Sequence, residues 1–99
     1  MNPTKLSQEE VQAALADLSP DWLATDTELR RTVEFPSFLK AVEFVSEMAP
    51  IAERLDHHPD LTLSWRTVEL TLSTHSSGGL TQFDLTLATD LDQLIARLI

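Results

Sequence analysis

The sequence predicts an α+β fold: a four-stranded antiparallel sheet with three helices packed on one face, in the order α-β-β-α-β-β-α. Three observations carry this. Residues 29–35 and 61–74 alternate apolar and polar side chains with the period of half-buried strands. Three other stretches repeat apolar residues at three- and four-residue steps, the period of a helix with one buried stripe. Each of those three has a capping residue at its start, Ser7, Ser37 or Thr81. The 99 residues make a single domain, 1–99, large enough for one modest core.

The first helix is expected over residues 6–18. Ser7 and Glu10 have the spacing of a capping box, and Leu6 and Val11 occupy the hydrophobic-staple positions around it. Val11, Ala14, Leu15 and Leu18 form its stripe, and Ser19-Pro20-Asp21 ends it. Residues 22–24 read as a short strand and residues 25–27 as a turn. In the next strand Leu29, Val33 and Phe35 share one side with Arg31, whose stem can pack near a sheet edge while its head reaches water. Pro36 closes the strand and Ser37 caps a long helix reaching about Asp56, striped by Phe38, Ala41, Val45, Met48, Ala52 and Leu55. Pro50 inside it predicts a kink, since proline lacks the amide donor and crowds the carbonyl of Ser46.

Residues 62–74 read as a hairpin. Leu61, Leu63 and Trp65 form one inward set, Val68, Leu70 and Leu72 the other, and the turn falls near Arg66-Thr67. Trp22 and Trp65 read as packing residues. The last helix starts at Thr81, with Asp84 at the capping-box position, Leu80 and Leu85 as staple, and Leu87, Leu91, Leu94 and Leu98 as stripe. The outward side of the sheet is polar: Arg30, Thr32, Glu34, Ser64, Glu69, Thr71 and Ser73. That face suits water or another subunit.

Composition narrows the function. The chain is 42% hydrophobic and 23% charged, as in soluble globular proteins. Its 16 acidic and 7 basic residues give a formal charge of −9, a field that repels nucleic-acid phosphates and anionic membranes. Neither nucleic acid nor membrane is expected as a partner. The absence of cysteine excludes disulfides and thiol chemistry. No apolar run suggests a signal peptide or a membrane span, so a cytoplasmic location is expected.

All three histidines lie where regular structure stops. His57 and His58 follow the long helix, just before Pro59, and His75 follows the second hairpin strand, just before Gly78 and Gly79. Imidazole is the side chain suited to proton transfer near neutral pH. Two clusters facing one pocket would let one imidazole give a proton while another takes one, as an elimination or hydration requires. Glu53, four residues before His57, shares its helix face and is expected to hold it. Plainer readings stand beside these: Glu53 in a surface pair, Asp84 as a capping residue only, and each histidine as a surface or capping residue. A three-histidine metal site is disfavoured, because adjacent histidines on a turn seldom both reach one ion and no HxH or HxxxH pair occurs.

At these residues the sequence resembles the pterin-4a-carbinolamine dehydratase family. The residues that carry the resemblance are Glu53, His57-His58-Pro59, Trp65, His75 and Asp84, at the family's spacing, with agreement in Leu55-Asp56, Thr71-Leu72-Ser73-Thr74 and Gly79-Leu80-Thr81. A looser likeness runs upstream through Trp22 and Phe35-Pro36-Ser37-Phe38. Trp65 stands where tyrosine is usual and Arg66 where asparagine is usual, and Pro50 interrupts the long helix. The resemblance implies the α+β fold described above. It also implies dehydration of 4a-hydroxytetrahydropterin to quinonoid dihydropterin by histidine general acid/base catalysis, in tetrahydrobiopterin recycling. Under it, the catalytic residues are His57, His58 and His75; His57 and His75 form the acid/base pair and His58 mainly holds substrate. The pterin-binding residues are Glu53, Asp56, His57, His58, Pro59, Ser73, Thr74 and His75. No metal and no bound cofactor are implied, the assembly is a homodimer or homotetramer, and an aromatic amino-acid hydroxylase is a possible functional partner. A second reading in a different class is a non-catalytic dimerisation or assembly-factor module on the same fold. The retention of all three histidines favours the enzyme.

Overall fold

The structure, a computed structural model, describes residues 3–99. Its elements are α1 (Gln8–Leu15), β1 (Leu23–Ala24), β2 (Leu29–Glu34), α2 (Phe38–Leu55), β3 (Asp60–Ser64), β4 (Thr67–Leu72), a 3₁₀ turn (His75–Ser77) and α3 (Gln82–Leu98). The strands form one antiparallel sheet in the order β1-β2-β4-β3, so the two six-residue strands are central. This is the α+β architecture and element order that the sequence predicts.

Period two decides which side of the sheet is dry. Leu29, Val33, Val68, Leu70 and Leu72 are buried under the helices, with Phe44, Ala52, Leu87, Leu91 and Ile95 among their partners in the core. Arg30, Thr32, Glu34, Thr62, Ser64 and Glu69 are exposed on the other side, where Glu69 lies opposite both Thr32 and Thr62. Phe35, one residue past β2, is buried, and its ring packs 5.1 Å from that of Phe44.

Helix α1 is shorter than its apolar stripe predicts. Its capping box forms as expected, with Ser7 Oγ accepting from the Glu10 amide and the Glu10 carboxylate from the Ser7 amide. After Leu15 the amides of Ala16, Asp17 and Leu18 turn to carbonyls three residues back, and the Ser19 amide donates instead to Asp92 Oδ2 at 2.8 Å. A distant carboxylate takes the donor that would have extended the turn. Helix α2 runs continuously through Pro50, which is exposed, and Ser37 caps its start.

The hairpin turn lies at Trp65-Arg66, one residue earlier than expected, because Ser64 pairs with Thr67. Trp65 is therefore not part of the inward set, nor is it a packing residue. It sits in the left-handed region, φ 54°, and is 69% exposed, with the Arg66 guanidinium 4.7 Å over its ring. Arg31 also departs from expectation. Its head does not reach water: the residue is 7% exposed, and its guanidinium meets Asp92 Oδ1 at 2.5 Å and Asp21 at 3.6 Å. The Trp22 indole N–H donates to the same Asp92 oxygen at 2.7 Å. A buried guanidinium needs a carboxylate, and α3 supplies one.

Candidate active site

Helix α2 ends in a Schellman motif. The Asp56 amide donates to the Glu53 carbonyl and the His57 amide to the Ala52 carbonyl, while Asp56 takes the left-handed conformation at φ 49°. Asp tolerates that region better than most residues do. The reversal carries His57 off the helix face. It therefore does not meet Glu53, as the four-residue spacing predicts. Glu53 Oε1 instead meets His58 Nε2 at 2.7 Å, on the surface.

His57 turns inward. Its side chain is 12% exposed, and its Nε2 lies 2.5 Å from Oδ1 of Asp84, which is fully buried. Phe83 flanks the imidazole, ring centres 5.9 Å apart. Asp84 is placed by its own capping box: Oδ2 accepts from the Thr81 amide at 2.9 Å. The same oxygen accepts from the Thr74 hydroxyl at 2.8 Å. Thr74 Oγ1 lies 2.8 Å from Thr81 Oγ1. Thr74 has one hydroxyl proton, spent on Asp84, so in that contact Thr81 is the donor. Thr81 Oγ1 in turn accepts from the Phe83 amide. The polarity of the chain is thereby fixed: amide to Thr81, Thr81 to Thr74, Thr74 to Asp84.

This arrangement fixes the imidazole as well. A carboxylate oxygen only accepts, so His57 holds a proton on Nε2 toward Asp84 and leaves Nδ1 for exchange. A buried carboxylate that orients an imidazole in this way is the logic of a catalytic triad without its nucleophile. Asp84 thus does more than cap α3. The T-x-x-D spacing signalled the cap; nothing in the sequence signalled its bond to His57.

The second cluster enters through Thr74. Its backbone pairs with Gly79 in both directions, closing a short loop that carries His75 in the 3₁₀ turn, with Gly78 in the left-handed region at φ 76°. His75 is exposed, and among the described residues its imidazole has no hydrogen-bond partner. The His57 network therefore ends one residue from His75. Ser73 donates to the Thr27 carbonyl at 2.7 Å, which ties the β1–β2 turn to this loop. An open pocket of about 310 Å³ is lined by Thr27, Glu28, Ser73, His75, Gly78 and Gly79.

Of the residues expected to form the site, His57 and Thr74 are joined through Asp84, and Ser73 and His75 flank Thr74. Asp56, Glu53 and His58 lie exposed on the outer side of the turn that carries His57, with Pro59 half-buried after it. Among the described residues no group of three or more His, Asp or Glu is placed to hold a metal ion, and no helix is long and apolar enough to cross a membrane.

Comparison with known proteins identifies the family and the fold. The family model for pterin 4 alpha carbinolamine dehydratase matches residues 4–94. A candidate pterin-4-alpha-carbinolamine dehydratase of Nocardia farcinica (strain IFM 10152) is 49% identical over 94 residues, 95% of this chain and 98% of the relative. A protein of the same description from Mycobacterium sp. (strain KMS) is 46% identical over 93% of this chain and 97% of its own length. The crystal structure of a transcriptional coactivator/pterin dehydratase from Brucella melitensis superposes with a TM-score of 0.88 at 32% identity, covering 93% of this chain and 99% of that one. A pterin dehydratase-like protein identified as a RuBisCO assembly factor in the alpha-carboxysome shares the fold, with a TM-score of 0.62 at 20% identity over 75% of this chain and 86% of that one. The chain belongs to the pterin-4-alpha-carbinolamine dehydratase family.

Proposed function

We propose that the protein dehydrates a 4a-hydroxytetrahydropterin to the quinonoid dihydropterin by histidine general acid/base catalysis, in the recycling of a tetrahydropterin cofactor. The observation that carries this is the His57–Asp84–Thr74 network, which presents one oriented imidazole next to the loop bearing His75. In the reaction the C4a–O bond breaks and the hydroxyl leaves as water after taking a proton. The N5–H bond gives up its proton, and its electron pair forms the C4a=N5 double bond. One group must give a proton and another must take one, and imidazole does either near neutral pH. His57, with Nδ1 free and Nε2 held, and His75, unencumbered, form the pair. His58 and Glu53, joined on the adjacent surface, together with Asp56 and Pro59, hold the polar pyrimidine side of the pterin. Ser73 and Thr74 complete the contacting segments.

The active form is a homodimer or homotetramer. Phe38, Leu39 and Val42 stand exposed at the start of α2, at 50%, 79% and 40%, an apolar group that a second copy would cover. A mass measurement at micromolar protein should show a species larger than the monomer. An aromatic amino-acid hydroxylase in the same cell, producing the carbinolamine, would be the functional partner.

The decisive experiment follows carbinolamine dehydration with purified protein against a no-enzyme control. Acceleration above the uncatalysed rate, lost in His75→Ala, supports the reading. An unaccelerated reaction with folded protein removes it.

A further inference from the structure

The pocket beside His75 has a wall that no residue of the histidine motif supplies. Thr27 and Glu28 come from the β1–β2 turn, nearly fifty residues upstream of His75. That turn is held from several directions. Thr25 Oγ1 accepts from the amides of Thr27 and Glu28, the Thr25 amide donates to the Glu28 carbonyl, and Ser73 donates to the Thr27 carbonyl. The Glu28 side chain is only 28% exposed, and Arg30 engages its Oε1 at 3.0 Å. Oε2 has no partner among the described residues. Ser73 and Gly78, small residues of the lining, leave the space open, while the bare Gly79 makes room for the Lys5 side chain. Its volume, about 310 Å³, is at the small end for ligand pockets, the size for part of a ligand.

Resting on the dehydratase reading, we infer that Glu28 is a specificity residue, accepting a hydrogen bond from a hydroxyl on the substituent that the pterin carries at C6. With the pyrimidine side held at His58 and Glu53, and C4a and N5 between His57 and His75, C6 is the ring carbon next to N5 on the His75 side. Its substituent leaves the ring toward the wall formed by Thr27, Glu28 and Gly78. A carboxylate there only accepts, so it selects a neutral hydroxyl donor and repels a phosphorylated tail. The chain's −9 charge acts in the same direction.

The test compares dehydration of carbinolamines carrying a 6-dihydroxypropyl or a 6-methyl group. The wild type should have the lower KM for the dihydroxypropyl substrate, by about tenfold, the usual scale for one hydrogen bond to a charged acceptor. Glu28→Ala should abolish that preference, and Glu28→Gln, which keeps an uncharged acceptor, should retain part of it. Among the described residues the polar partner of the side chain is Arg30, on the surface, so both variants should keep the wild-type circular dichroism spectrum. A preference unchanged in Glu28→Ala, or KM raised equally for both substrates, overturns the inference while leaving the dehydratase reading intact. A wild type that dehydrates both without preference also overturns it. A wild type that accelerates neither removes the dehydratase reading, and the inference with it.

Discussion

Helix α3 carries two aspartates about two turns apart, Asp84 and Asp92, and each gathers a network from distant parts of the chain. Asp84 faces an imidazole, one threonine hydroxyl and one amide. Asp92 faces a guanidinium, an indole N–H and one amide. Both are charge-assisted and mostly hidden from water. They differ in the partner. A guanidinium keeps its proton under all ordinary conditions, so the Arg31–Asp92 pair is a fixed clamp between β2, the α1–β1 connection and α3. An imidazole can lose or gain one, and Nδ1 of His57 has no hydrogen-bond partner among the described residues. Under the proposed function, the same residue type on the same helix serves architecture at one end and chemistry at the other. The partner's capacity to exchange a proton decides which.

The largest expected effect breaks the clamp. Asp92→Ala leaves Arg31 buried without its nearest carboxylate and should cost about 3 kcal/mol of stability, a fall in Tm of more than about 10 °C in a chain of this size. Denaturant titration and thermal melts measure it, and kcat at a temperature well below the transition should stay near wild type. Loss of activity in a fully folded Asp92→Ala would dissolve the distinction between the two networks.

At the other end, His57→Ala and His75→Ala should each lower kcat by about 10²-fold or more, the contribution of a general acid or base. His75 is exposed and His57 is not part of the hydrophobic core, so the circular dichroism spectrum should not change. Asp84→Asn sharpens the comparison further. The two donors at Oδ2, the Thr81 amide and the Thr74 hydroxyl, will claim the amide oxygen, which turns its NH₂ toward His57 and forces the other tautomer. We expect kcat to fall by about 10²-fold or more, with a much smaller loss of stability than Asp92→Ala shows. A folded Asp84→Asn with wild-type kcat would mean that Asp84 merely caps α3.

The smaller effects concern the outer side of the site. His58→Ala should mainly raise KM, as when binding common to ground and transition states is removed. Glu53→Gln acts on His58 and not on His57, through a pair whose side chains are 54% and 75% exposed. Such pairs contribute at most about 1 kcal/mol, so KM should rise a fewfold with kcat unchanged. Exhaustive chelation should have no effect. Activity lost to a chelator and restored by zinc would promote a metal mechanism over the imidazole pair.

How much of this was legible in the sequence follows from the range of each interaction. The capping boxes at Ser7–Glu10 and Thr81–Asp84, the Ser37 cap and the alternation through Leu29, Val33 and Phe35 are satisfied within a few residues. Short spacing rules find them, and with them the fold class and, among the described residues, all seven of its α-helices and strands. The histidine junctions were legible for the same reason, because Pro59 and Gly78-Gly79 announce where regular structure stops. The pairing within the site was not. The four-residue rule joined Glu53 to His57 on the assumption that both sit on one helix face, but Asp56 in the left-handed region takes His57 off that face and gives Glu53 to His58. The partner of His57 is 27 residues away, that of Arg31 61 residues away, and that of the Ser19 amide 73 residues away. Local periodicity marks a side chain as buried or exposed, but it does not say which buried charge faces it across the sheet–helix interface. The sequence by itself determined where each helix starts, which face of the sheet is apolar and where imidazoles gather. Only the tertiary structure decided which carboxylate meets which cation, because that depends on how α3 lies over the central strands.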